Sequence, residues 1–251
     1  MLKAILFDLD NTLIHYSERK FFESYLPGIM LVFADIMPGD VLIERLLKGI
    51  QSLLNNNGEM SNADRFLNVF CTGYEGFRDE IWKRFMRFYD TEYDHLQSLV
   101  SVSPGVRELF LRLEKTDVKL VIASNPIWPL TAQTKRLSWA GIGDLQFDLV
   151  THIENTSYCK PRLEYYQEIC RRISEPPEAC LMIGNDPVND MIVANIGMKT
   201  YLVTDGDAAD MELSRSSHIY ATAEIRQPDF QGPLLGVVAL VEGLLRNKEP
   251  L

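Results

Sequence analysis

The sequence predicts an α/β fold, a doubly wound, Rossmann-like parallel sheet with a small all-helical second unit. Three observations predict it: short runs apolar on both faces recur along the chain, helical patterns separate them, and one long early stretch holds helical patterns alone. Runs without a polar face suit strands covered by helices on both sides, and strand–helix alternation implies parallel crossovers.

The first strand lies in the run Leu2 to Leu9, punctuated by Asp8 and Asp10. From Ile14 to Val100 no convincing strand follows. Asp40 can cap a helix carrying Leu42, Leu46, Ile50 and Leu53, which Asn56-Asn57-Gly58 ends. Ser61 to Asp64 resemble a capping box ahead of Phe66, Leu67 and Phe70. Ile81, Trp82, Phe85, Phe88 and Tyr89 form an apolar stripe at helical spacing, expected to pack against the other helices of this segment.

The alternation then resumes. Ser103-Pro104 predicts a cap and first helical residue for a helix through Val106, Leu109, Phe110 and Leu113. Strands are expected at Val118 to Ala123, Phe147 to Ile153, Ala179 to Ile183 and Thr200 to Val203. Lys160-Pro161 opens a helix with Leu163, Tyr166, Ile169 and Ile173, and another helix follows Asp190 and ends at Gly197. Residues 1–14 and 101–251 thus form the expected α/β core, and 15–100 the helical insertion.

Composition narrows the function. A net charge of −10 over 251 residues argues against a general nucleic-acid binder, which needs Lys and Arg to neutralise phosphates. Hydrophobic residues at 46% and charged residues at 24% are ordinary for a globular chain and exclude dominant disorder. The apolar start meets Asp8 and Asp10 too soon for a secretory signal, and Gly232 to Leu245 is too short to cross a bilayer. Cys71, Cys159, Cys170 and Cys180 show no CxxC spacing, so free thiols and a cytoplasmic location are expected, with no membrane partner.

Chemistry-bearing residues cluster after the strands. Asp8 and Asp10 alternate with Leu9, so both carboxylates face one way; they repel unless a cation bridges them or one takes a proton. Ser124, after the run ending in Ala123, offers a hydroxyl either to a helix cap or to an anionic oxygen. Lys160 at a helix amino end opposes the dipole, which an anion nearby would relieve. Asp186 and Asp190 follow the strand ending near Ile183. In an open α/β sheet these strand ends share the edge where ligands bind.

Taken in order, Asp8-Leu9-Asp10-Asn11-Thr12-Leu13, Ala123-Ser124-Asn125, Lys160-Pro161 and Gly184 to Asp190 resemble the four motifs of the haloacid-dehalogenase-like (HAD) superfamily. The resemblance covers nearly the whole chain, and the insertion resembles the helical cap that some members carry between motifs one and two. It implies a Mg²⁺-dependent phosphohydrolase acting on a small phosphorylated metabolite through an aspartyl-phosphate. Asp8 would be the nucleophile, Asp10 the acid and then the base, and Lys160 the cation pairing Asp8 and phosphate. Ser124, Asn125 and Leu9 would bind substrate. Mg²⁺ would be held by the Asp8 carboxylate, the Asp10 backbone carbonyl and Asp186, with Asp190 and Thr12 in support.

The residue chemistry agrees, because an anionic nucleophile approaching a phosphoryl group needs positive charge beside it. Acids without a His/Cys cluster also suit Mg²⁺ better than zinc. A phosphomutase is the alternative. Carbon–halogen hydrolases of the superfamily lack the acid two residues after the nucleophile, and phospho-receiver modules place the accepting Asp on a later strand. Of the flanking residues, His15 either lines the entrance or lies on the surface, Arg19 and Lys20 either meet a substrate or face solvent, and Trp128 either walls the pocket or packs the following helix.

Overall fold

The structure, a computed structural model, describes residues 1–205, 216–221 and 223–246. Its centre is a parallel sheet of β1 (Ala4–Phe7), β4 (Lys119–Ile122), β5 (Leu149–Val150), β6 (Cys180–Gly184), β7 (Lys199–Val203) and β8 (Phe230–Gly232). The spatial order is β5-β4-β1-β6-β7-β8, with β1 paired to β4 and β6 in parallel. The period of two sorts the strand residues into two layers. Ile5, Phe7, Leu120, Ile122, Leu181 and Ile183 face α5 (Val106–Leu113) and α8 (Gly236–Arg246). Ala4, Leu6, Val121, Ala123 and Met182 face α7 (Leu163–Ile173). Chain order reverses around β1, so the residues that follow β1, β4 and β6 share one crevice.

Several boundaries differ from the sequence reading. Helix α5 begins at Val106, because Ser103 to Gly105 form a turn in which Gly105 takes φ 78° and serves as the cap. The helix expected after Asp190 is a 3₁₀ segment, Met191–Ile196, ending at Gly197 as expected. Strand β8 was not foreseen: its three residues are too few to show a period.

The segment between β2 (Ile14–His15) and β3 (Ser101–Val102) is helical, and these two strands pair antiparallel as the joint through which the chain leaves and re-enters the core. Helices α1 (Glu18–Phe33), α2 (Gly39–Leu54), α3 (Asn62–Phe70) and α4 (Arg78–Thr91) enclose an aromatic core that includes Phe33, Phe66, Phe70, Phe85 and Phe88. Ser61 caps α3 as expected, its Oγ accepting from the Asp64 N–H at 3.1 Å. Asp40 lies inside the first turn of α2 rather than at its cap, which is Pro38.

This helical unit is attached to the core at two further places. Trp128, just before α6 (Leu130–Trp139), and Trp139, its last residue, enter the cap cluster, with the Trp128 ring 5.7 Å from that of Tyr25 and Trp139 stacked on Tyr93 at 5.1 Å. On the opposite side Asn62 donates from its backbone to Thr156 O at 2.8 Å and from Nδ2 to Tyr158 O at 3.1 Å. Apolar burial and satisfied backbone groups therefore hold the helices over the sheet edge.

Candidate active site

Asp8 continues β1, its N–H donating to Ile183 O at 2.9 Å, which fixes the carboxylate at the mouth of the crevice. Asn11 then takes the left-handed conformation (φ 58°), which a short polar residue tolerates, and Thr12 turns back toward Asp8. The Thr12 hydroxyl donates to Asp8 Oδ2 at 3.0 Å and lies 3.1 Å from Asn185 Oδ1.

Lys160 arrives from the loop before α7. Its ammonium donates to Asp8 Oδ1 at 2.7 Å and to Asp190 Oδ1 at 2.6 Å, while its backbone N–H donates to Asn125 Oδ1 at 3.3 Å. All three charged side chains are almost completely buried. Burial alone would lower the Lys160 pKa, but Asp190 and Asp8 outweigh it and hold the ammonium well above its usual range. Burial pushes the Asp190 carboxyl up to about 7 against the pull of Lys160, and Asp8 and Asp186 add repulsion.

Gly184 makes this possible. A Cβ there would stand 2.1 Å from Asp190 Oδ2, so only glycine lets the acid lie across the strand end. The same Oδ2 accepts from the Asp186 N–H at 3.0 Å, tying the loop to its own acid.

Asp186 is held from several sides. Its Oδ1 accepts from the N–H groups of Val188 (2.8 Å) and Asn189 (2.9 Å), and its Oδ2 from Asn189 Nδ2 (3.1 Å), with His218 Nε2 at 2.8 Å. Asp10 is partly exposed on the other wall and ion-pairs with Arg136, a wholly buried residue of α6. Burial draws the Arg136 guanidinium down to about 9, with the Asp8 charge acting the other way.

Asp8, Asp10, Asn125, Lys160, Asn185, Asp186, Asn189 and Asp190 line a cavity of about 50 Å³. Ser124 Oγ is fully buried and has no hydrogen-bond partner among the described residues. A buried hydroxyl left unsatisfied is uncommon, and Ser124, expected to bind substrate, is not among the residues that line this cavity.

The lining also fits a hard divalent cation. Four carboxylates, the Lys160 ammonium and three amides line it; Lys160 pairs with Asp8 and Asp190, and Arg136, behind the wall, pairs with Asp10. Carboxylate and amide oxygens are the donors that hard divalent cations take.

A family model for haloacid dehalogenase-like hydrolases matches residues 2–197. The chain belongs to this family. It is 27% identical over 207 residues to a glyceraldehyde 3-phosphate phosphatase of Methanothermobacter thermautotrophicus, covering 81% of this chain and 86% of that one. It is 25% identical over 203 residues to pyrophosphatase PpaX of Bacillus thuringiensis, covering 81% and 83%. In fold it is similar to a HAD phosphatase from Thermococcus onnurineus, at TM-score 0.55 and 19% identity over 96% of this chain and 99% of the other. It is also similar to L-2-haloacid dehalogenase from Xanthobacter autotrophicus, at TM-score 0.53 and 17% identity over 97% and 100%.

Within this HAD-like chain the tertiary structure brings Asp8, Asp10, Asn125, Lys160, Asp186 and Asp190 to one cavity, with Thr12 against Asp8. Leu9, expected to bind substrate, does not line it: alternation along the chain turns its side chain into the hydrophobic core. Trp128 packs into the cap cluster rather than lining the cavity. Arg19 ion-pairs with exposed Glu23, Lys20 is exposed, and His15 Nε2 lies 2.6 Å from Ser103 Oγ at the joint.

Arg136 and His218 were missed. The α6 pattern carries a signal for the first, since Arg136 stands four residues after Ala132 and three before Trp139, on the face those residues bury. His218 carries none, as it meets Asp186 across 32 positions.

Proposed function

We propose that this chain is a Mg²⁺-dependent phosphohydrolase of small phosphate monoesters that works through an aspartyl-phosphate on Asp8. The observation that carries the reading is the buried Asp8–Lys160–Asp190 arrangement at the sheet edge, which shares one cavity with Asp10, Asn125 and Asp186. Asp8, the Asp10 backbone carbonyl and Asp186 would hold the cation, Asp186 by releasing His218. When bound, Mg²⁺ supplies positive charge that offsets the repulsion between carboxylate and phosphoryl group.

In the first half-reaction a carboxylate oxygen of Asp8 forms a bond to phosphorus as the bond to the ester oxygen breaks, and Asp10 gives that oxygen its proton. In the second, Asp10 removes a proton from water, whose oxygen attacks phosphorus and releases the Asp8 carboxylate. Lys160 holds Asp8 in line and faces the phosphoryl oxygens, which Ser124 and Asn125 bind. The cap segment 15–100, attached to the core through Trp128 and Asn62, would close over the bound phosphoryl group and limit the access of water to it.

The test is phosphate release from an aryl phosphate with Mg²⁺. The native chain is expected to turn over and Asp8→Asn to be inactive while still unfolding in one cooperative transition; an active Asp8→Asn protein overturns the reading. Conversion between phosphate isomers with little free phosphate would instead establish a mutase.

A further inference from the structure

Arg136 is the one fully buried arginine among the largest wholly buried side chains of the described residues, and nothing in the proposed reaction uses it. Its surroundings are specific. Nη1 donates to Gln133 Oε1 at 3.1 Å, and Gln133 Nε2 in turn donates to Thr151 O at 3.1 Å. Nη2 lies 3.4 Å from the Tyr16 hydroxyl and ion-pairs with Asp10 Oδ1. The guanidinium also sits over the Trp128 ring at 5.5 Å and the Tyr16 ring at 6.0 Å.

Such a cage has a cost. An arginine taken wholly out of water is retained only where a fixed partner compensates it, and a well-packed apolar residue of similar size is often no less stable there. Stability alone therefore does not account for Arg136. Its cage joins three parts of the molecule: Tyr16 beside the cap joint, Trp128 in the cap cluster, and Asp10 at the cavity. The planar guanidinium fixes direction as well as charge. Asp10 Oδ1 is buried against it, and Asp10 is still part of the cavity wall, so the other oxygen, Oδ2, is the one turned to the cavity.

From this geometry we infer that Arg136 is a positioning residue that orients Asp10, holding Oδ1 so that Oδ2 is the oxygen left to meet the leaving-group oxygen. The inference rests on the reading of Asp10 as acid and base. In the step concerned, the bond between phosphorus and the ester oxygen breaks, the electron pair goes to that oxygen, and the proton passes to it from Asp10 Oδ2.

Leaving-group chemistry separates this role from a structural one. Nitrophenolate departs without a proton, whereas an alkoxide does not, and a positioned general acid is worth on the order of 10²–10⁴-fold. With enzyme in excess and Mg²⁺ present, single-turnover release is measured from 4-nitrophenyl phosphate and from glycerol phosphate. Arg136→Met is expected to slow the alkyl ester by about 100-fold and the aryl ester by less than about threefold. In an Asp10→Asn background Arg136→Met is expected to add less than about twofold on the alkyl ester, since residues acting as a unit are not additive.

Equal losses on both esters, a raised KM with unchanged kcat, or an undiminished effect in the Asp10→Asn background would each overturn the inference. Arg136→Lys keeps the charge but not the planar fork, and it is expected to show the same split in smaller size. It decides the question if Arg136→Met does not fold, equal losses again counting against the inference. An active Asp8→Asn protein overturns the proposed function itself; an inactive one, with Arg136 variants that do not discriminate the esters, overturns only the role of Arg136.

Discussion

The Lys160 ammonium stands 2.7 Å from Asp8 Oδ1 although the two residues are 152 positions apart in the chain. Asp190, reaching the same ammonium at 2.6 Å, completes a buried row in which one cation serves two acids. Removing the cation leaves two carboxylates in a place with little water. Lys160→Met is expected to cost roughly 3–5 kcal/mol of stability, as for other broken buried pairs, and to lower phosphate release by at least about 100-fold. Urea unfolding and a phosphate-release assay on the same preparation check both.

The Asp190 carboxyl, raised to about 7, makes stability depend on pH in a defined direction. Its unfolded value is about 4. Between those two values the folded chain binds the proton more tightly than the unfolded chain, so this contribution is lost as pH rises from about 4 to about 7. Urea midpoints of the metal-free protein across that range are expected to fall more steeply for the native chain than for Asp190→Asn. Parallel slopes in the two proteins would count against the shift.

Gly184 and Asp190 are in such close approach that alanine cannot be placed without moving the acid. Gly184→Ala is expected to cost about 1–3 kcal/mol through overpacking. Because Asp190 helps place Lys160, kcat should fall at least about tenfold while the fold is kept. Thermal unfolding and steady-state kinetics measure the two effects; a variant with native kcat would show that the row tolerates displacement.

The attachment of the cap rests heavily on Trp128, which meets Phe21, Tyr25, Tyr89 and Tyr93. Trp128→Ala is expected to cost about 3–5 kcal/mol, the usual range for emptying a large buried aromatic site. Hydrogen exchange should rise most in α1, α4 and α6, which share that cluster. Exchange confined to α6 would mean that the cap helices do not depend on the tryptophan.

For the cation, calorimetric titration with Mg²⁺ is the direct measurement. Asp8→Asn and Asp186→Asn are each expected to weaken binding by at least about 10-fold, since loss of even a group that only orients a ligand costs roughly 10–100-fold. Native affinity in Asp186→Asn would show that Asp186 remains with His218 and Asn189 when the ion binds.

The order of strands and helices was legible in the sequence because runs such as Ala4 to Phe7 and Leu181 to Ile183 are apolar on both faces, which only a doubly covered strand requires. The motif residues were legible for a related reason: at the ends of strands β1, β4 and β6, polar groups interrupt apolar runs abruptly. Periodicity reports one element at a time, however. The three-residue β8 and the two-residue β2 and β3 carry no period to read, and their pairing depends on neighbours supplied by the fold.

What the tertiary structure alone decided is the set of partners. Asp10 is read from the sequence as an acid, but its pairing with Arg136, 126 residues further on, follows from where α6 packs. Asp186 is likewise read as an acid, and its contact with His218 depends on a distant segment folding back over the loop. Trp128, open between two roles, joins the cap because its ring packs among Phe21, Tyr25, Tyr89 and Tyr93, which reach it from other segments. Local pattern fixes which groups a chain carries and where its elements run. Which charges face one another is set by long-range packing, since burial chooses neighbours by shape and apolar area rather than by distance along the chain.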